Sequence, residues 1–305
     1  MAFIRRRTRS NTYYYELVES VRDGDSVKQK VLQYFPSASE AEEYAKKEGI
    51  EFNAGDGGWI DARLVKELEG KLERLNALRP LPPEAVKRLR DKFEVDMTYH
   101  SNAIEGNRLT LRETWMVLRK GMTIRGKTMN EHLEATNHAE AIGLLEKTAD
   151  GKKEIAEIDV LNLHAVILDK ISPQDAGFYR HEQVFIEGSR IRLPKWKEVP
   201  KLMQAVYSEL NNKGKGMAAI QSAVKIHHDT VRIHPFVDGN GRLARLLMNL
   251  RLMRAGFPPT ILRREERRAY YSALEKADKS DFRAISMLVA KDVGQALDLY
   301  LDAVG

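Results

Sequence analysis

Residues 234–245 read His-Pro-Phe-Val-Asp-Gly-Asn-Gly-Arg-Leu-Ala-Arg and lie between two stretches of helical apolar periodicity, roughly 216–233 and 241–255. Each residue type in this turn has a use beside a polyphosphate. Gly239 and Gly241 let the backbone turn sharply and bring its amides close to an anion, and the helix that starts near Gly241 points its positive end at the same place. Arg242 and Arg245 stand three apart on that helix, so both can face the loop and contact phosphate oxygens. Asp238 is a hard oxygen ligand suited to Mg²⁺ bridging two phosphates, and His234 is the group that can take a proton near neutral pH.

Outward from the loop, helical patterns recur at roughly 110–120, 130–148, 156–170, 197–212, 264–277 and 281–303. One later stretch reads as strand: residues 183–186, a turn at 187–189, and a return through 190–193. Residues 12–35 form a second hairpin pattern around Asp23 and Gly24, and the glycines at 55, 57 and 58 mark a boundary after it. The expected fold is mainly α, a helical bundle with one inserted β-hairpin. A small N-terminal β-hairpin module at 1–50 precedes it.

With 305 residues, 43% hydrophobic and 31% charged, the chain has ordinary globular composition and no apolar run that spans a bilayer, so no membrane partner is expected. Absence of cysteine excludes disulfides, thiolate zinc sites and cysteine nucleophiles. The start carries arginines at 5, 6, 7 and 9 without the pattern of a signal peptide, so the expected location is cytoplasmic. A net charge of +6 permits an acidic partner without choosing one.

The 234–245 stretch resembles the signature of the Fic (Fido) family, His-x-Phe-x-Asp/Glu-Gly-Asn-Gly followed by two arginines, with no specified position missing. The resemblance implies a Fic-type bundle with its catalytic core at 156–292, a preceding helical region at 51–155, and a helix end at 293–305 with no winged-helix module after it. It implies protein adenylyltransfer, with ATP and Mg²⁺ as cofactors and a target protein bearing a Ser, Thr or Tyr hydroxyl. His234 would be the base and Phe236 the anchor of the loop. Asp238 would hold Mg²⁺, Gly239, Asn240 and Gly241 would form the anion hole, and Arg242 and Arg245 would meet the β and γ phosphates. Doc-type relatives carry Lys where this chain has Gly241, so AMP transfer is favoured over kinase chemistry.

Upstream, Ser101 and Glu105 share a helix face, with Gly106 at a natural C-cap position. Read with the signature, they resemble the family's inhibitory motif, which implies a clamp from Glu105 to Arg245. The 184–193 hairpin resembles the family flap, and its tip residues Ile186, Glu187, Gly188 and Ser189 are expected near the nucleotide, as are Tyr270, Tyr271 and Asp278. His227 and His228 lack a carboxylate at ligand spacing, which argues against zinc. Two further readings stay open: removal of AMP from a modified protein by way of Glu105, and a nucleic-acid-binding regulator that senses ATP. The latter rests on the basic, tyrosine-rich N-terminal hairpin, which loosely resembles the start of some transposase-type proteins and fits a solvated hairpin equally well. A homodimer is also left open.

Overall fold

The computed structural model describes residues 2–9, 12–23, 26–36, 38–52, 59–151, 153–185 and 191–304. The chain forms two compact units, Met1–Ala62 and Arg63–Gly305.

In the first unit, β2 (Thr12–Asp23) pairs antiparallel with β3 (Ser26–Phe35), as the alternating pattern predicts; the turn at 24–25 lies outside the described residues. The strand β1 (Ala2–Arg9) was not foreseen. It pairs antiparallel with β2, and the short β4 (Glu51–Phe52) joins it in parallel, giving the order β3-β2-β1-β4. Helix α1 (Ala38–Glu48) covers one face, and Ile4, Tyr15, Leu17 and Phe35 pack with Ala41 and Ala45, one helical turn apart. The side chains of Arg5, Arg6, Arg7, Arg9 and Tyr13, on which the nucleic-acid expectation rests, lie outside those described.

The second unit is helical: α2 (Ala62–Ala77), α3 (Pro83–Ile104), α4 (Leu111–Lys120), α5 (Met129–Asp150), α6 (Glu157–Ile167), α7 (Val199–Leu210), α8 (Met217–Ile233), α9 (Asn240–Arg254), α10 (Arg267–Ala277) and α11 (Arg283–Val304). Local signals set several boundaries. Pro83 opens α3 where no intrahelical N–H is needed, Thr110 with Glu113 and Thr128 with Glu131 form capping boxes at α4 and α5, and Gly121 ends α4 in the left-handed conformation.

Helix α9 is the hub. Every side chain from Arg242 to Leu252 is buried, because α3, α5, α6, α7 and α8 all pack on it. Its polar residues are not misplaced in that core. Asn249 exchanges hydrogen bonds with the Thr260 backbone, and Arg251 donates to Ser222 Oγ and the Gly214 carbonyl. The N-terminal end of α9, held this firmly, is where the 234–245 loop begins its helix. No helix among the described residues is long and apolar enough to cross a membrane.

Residues 183–185 and 191–193 run as loop, and the tip with Ile186, Glu187, Gly188 and Ser189 lies outside the described residues. Phe185, at the near side of that tip, is 86% exposed.

Candidate active site

The loop between α8 and α9 is shaped by its own side chains. Asn240 Oδ1 accepts from the Phe236 N–H and its Nδ2 donates to the Phe236 carbonyl, both at 2.9 Å, so one amide closes the turn. Asn240 thus braces the loop. Phe236 is fully buried, stacked on His164 at 3.5 Å between centroids and tilted against Tyr179. His164 Nδ1 accepts from the Gly177 N–H at 3.0 Å, so its Nε2 carries the proton given to the Asp238 carbonyl at 2.9 Å. Burial holds this ring neutral, pushing it down to about 4. Gly239 takes φ +77°, and a Cβ there would press on His164 Nε2 and Ile167 at 3.3 Å.

His234 closes α8 in the left-handed conformation, φ +51°. Its Nδ1 faces the Val231 carbonyl at 3.3 Å, an arrangement that puts the proton on Nδ1 and leaves the Nε2 lone pair free. Burial lowers its pKa, and the Arg180 charge adds to that, so the ring is a proton acceptor at neutral pH. Asp238 is 63% exposed; its Oδ1 accepts from Gly239 N–H and its Oδ2 faces Arg242 Nη2 at 3.1 Å.

The far side of the site comes from the end of α3. Arg245 Nε donates to Ser101 Oγ at 2.9 Å, and its Nη2 donates to the Ser101 carbonyl at 2.9 Å and to Glu105 Oε1 at 2.7 Å. The guanidinium is buried and the carboxylate is about one-third exposed. A Cβ built on Gly241 would come within 2.2 Å of Glu105 Oε1. The Glu105 carboxylate therefore fills the space directly above the second glycine of the loop. Arg242 Nε and Nη1 and Arg245 Nη1 have no hydrogen-bond partner among the described residues, although Arg242 Nη1 lies 3.6 Å from Glu134. These buried donors are ready for an anion.

The end of α3 is itself pinned to α5. Asn102 donates to the Glu134 carbonyl, and Asn107 donates to the Glu131 carbonyl and to Glu134 Oε2 at 2.7 Å. Asn102, Asn107, Glu134 and His164 carried no legible signal in the sequence, because their partners lie on other elements. Of the residues expected at the adenosine, Tyr271 is 40% exposed, whereas Tyr270 is buried with its hydroxyl 2.9 Å from His227 Nε2. Asp278 lies 3.1 Å from His228 Nε2 and 3.5 Å from Arg232 Nε, so its charge has local partners.

Comparison with known proteins now decides the family. A family model described as Fic/DOC family matches residues 154–252. A solved structure, Fic-1 (aa134–508) from C. elegans, superposes with a TM-score of 0.72 at 32% identity, over 80% of this chain and 72% of that one. The chain belongs to the Fic/DOC family. Proteins named protein adenylyltransferase Fic are also similar: that of Drosophila ananassae is 35% identical over 79% of this chain and 48% of its own length, and that of Nematostella vectensis 36% over 79% and 56%. The chain spans about half the length of the curated relatives it matches. As a Fic protein it carries the signature loop whole, together with an acidic residue seated on the second arginine.

Two buried histidines around this Fic site make a pH-dependent contribution to stability. His138 and His227 are fully enclosed beside Arg245, and burial first, then that charge, push each down to about 3. In the unfolded chain both titrate near 6.5. Between those values the unfolded state binds protons that the folded state refuses. Stability is thus full above about pH 6.5 and falls as the pH drops, by about 1.4 kcal/mol per pH unit for each histidine. Denaturant midpoints at pH 7.5 and 5 should show the drop, and His138→Gln should flatten it. An unchanged midpoint at pH 5 would contradict the assignment.

Proposed function

We propose that this Fic protein transfers the AMP group of ATP to a Ser, Thr or Tyr hydroxyl of a target protein and is held in check by Glu105. One observation carries the reading: the Glu105 carboxylate sits 2.7 Å from Arg245 Nη2 and in the space above Gly241, where a phosphate would otherwise meet the loop amides and the arginine. His234 Nε2 takes the proton of the acceptor hydroxyl as its oxygen bonds to the α-phosphorus; the bond from that phosphorus to the bridging oxygen breaks and pyrophosphate leaves. The loop amides and the α9 N-terminus stabilise charge on the phosphates, and Arg242 and Arg245 bind the outer ones once Arg245 is released. The exposed single carboxylate of Asp238 suits Mg²⁺, which keeps waters and substrate phosphates as its other ligands. Bound there, the ion would neutralise phosphate charge. Lack of a side chain at Gly241 favours AMP transfer over transfer of a terminal phosphate, since the space above it opens to the β-phosphate once the Glu105 carboxylate leaves it.

The partly exposed Glu105 carboxylate also supports a second reading, in which it orients a water that removes AMP from a modified protein. Intact-mass measurement after incubation with ATP and Mg²⁺ tests both. A gain of one AMP on the protein or a target supports transfer, and loss of AMP from a premodified target supports removal. A gain of one phosphate would overturn the proposal.

A further inference from the structure

Arg180 is 2% exposed, among the most deeply buried large side chains, and among the described residues no carboxylate lies within ion-pair distance of it. A buried charge without a counter-ion is costly unless every donor is used well. Here backbone carbonyls take that part. Nε donates to the His234 carbonyl at 2.8 Å, Nη1 to the Glu182 carbonyl at 3.1 Å, and Nη2 to the Pro194 carbonyl at 2.7 Å. The Arg180 N–H donates in turn to the Pro235 carbonyl at 2.9 Å. Residues 182 and 194 are thus brought to one guanidinium, which fixes the two ends of the segment between them. The third carbonyl belongs to His234, a non-glycine residue with φ +51° that needs its surroundings to hold it there. An apolar side chain would fill the same volume without the cost of burying a charge, so packing alone does not account for an arginine at this position.

We infer that Arg180 is a positioning residue, whose guanidinium ties the backbone of the base to Glu182 and Pro194 and keeps the base and those two backbone positions in one fixed relation. Its charge has a second effect. The His234 imidazole faces Arg180, Glu105 and Asp238; the carboxylates favour the protonated ring and Arg180 opposes them, as does burial. Arg180 therefore helps keep the ring able to accept a proton. The consequence for transfer rests on the AMP-transferase reading, but two of its signatures do not.

The test uses Arg180→Gln and Arg180→Lys in the full chain. A pH titration of the His234 ring by NMR, assigned by the signal lost in His234→Ala, should move to higher pH in Arg180→Gln and stay near wild type in Arg180→Lys, which keeps the charge. Amide exchange across residues 181–195 should speed up in both, because neither side chain reproduces the three-carbonyl fork. In transfer assays kcat should fall by about 100-fold in Arg180→Gln with ATP affinity unchanged, the size of loss expected from a misplaced base. Its acid limb should follow the ring to higher pH, and Arg180→Lys should lie between. If Arg180→Gln does not fold, the lysine variant decides by its faster exchange alone. Wild-type exchange in both variants, or an unmoved ring titration in a folded Arg180→Gln, would overturn the inference. Wild-type protein that transfers nothing would instead count against the proposed activity, while the titration and exchange still judge Arg180.

Discussion

Glu105→Gly is expected to raise AMP transfer by roughly ten- to a hundred-fold over wild type, the equivalent of losing one charge-assisted hydrogen bond of about 1.5–3 kcal/mol. The gain comes from competition. Arg245 can satisfy either the Glu105 carboxylate or a phosphate, and in the structure the carboxylate has it at 2.7 Å while also filling the space above Gly241. Removing the side chain frees both at once. The helix should tolerate the change, because Glu105 is the terminal C-cap residue of α3, outside the helix interior where glycine costs most, and Gly106 still supplies the left-handed position after it. A cost appears elsewhere: the buried guanidinium loses its carboxylate partner and keeps Ser101, so the nucleotide-free variant should melt below wild type and regain more stability from ATP. Arg245→Ala should not reproduce the gain, since it deletes the phosphate contact together with the clamp. If Glu105 orients a hydrolytic water, removal of AMP should fall in the variant that speeds transfer. Equal transfer by wild type and Glu105→Gly would mean that residues 101–107 form only a helix end.

His234→Ala is expected to lower transfer by about 10²–10⁴-fold, the usual contribution of a positioned general base, with little change in ATP affinity. The ring is free at Nε2 and kept neutral by burial, the state of a proton acceptor. Backbone conformation needs a control, since alanine is less at ease than histidine at φ +51°. Asparagine occupies that region readily and accepts no proton at neutral pH. His234→Asn should therefore be as inactive as His234→Ala while keeping the loop. Transfer near the wild-type rate by either variant, measured beside unchanged ATP binding, would remove His234 from the mechanism.

The parts of this site that could be read from the sequence are those whose chemistry is local. The glycines, the arginines one turn apart and the acid at the loop mouth announce a phosphate cradle by type and spacing, and Ser101 with Glu105 reads as one helix face. The structure joins those two segments at Arg245. What stayed hidden depends on partners far along the chain. His164 is an unremarked helix residue until α6 brings it beneath the Asp238 carbonyl, and Glu134 gains meaning only where α5 meets Asn107 and Arg242. What the Arg180 side chain does shows only once its three carbonyl partners are brought together. Tyr270 and Tyr271 look alike as neighbours, yet the helix turns one onto His227 in the core and leaves the other accessible. In the first unit the arginine-rich 2–9 run hides a strand, because pairing with β2 and β4 decides it rather than an apolar alternation.

Glu105→Gly protein incubated with Mg²⁺ and ATP labelled at the α-phosphate, in parallel with ATP labelled at the γ-phosphate and beside wild type and Glu105→Gly/His234→Ala, tests the central claim most directly. The account predicts α-label on protein from Glu105→Gly, far less from wild type, none from the double variant, and no γ-label on any. Retained γ-label, or equal α-label with and without Glu105, would contradict it.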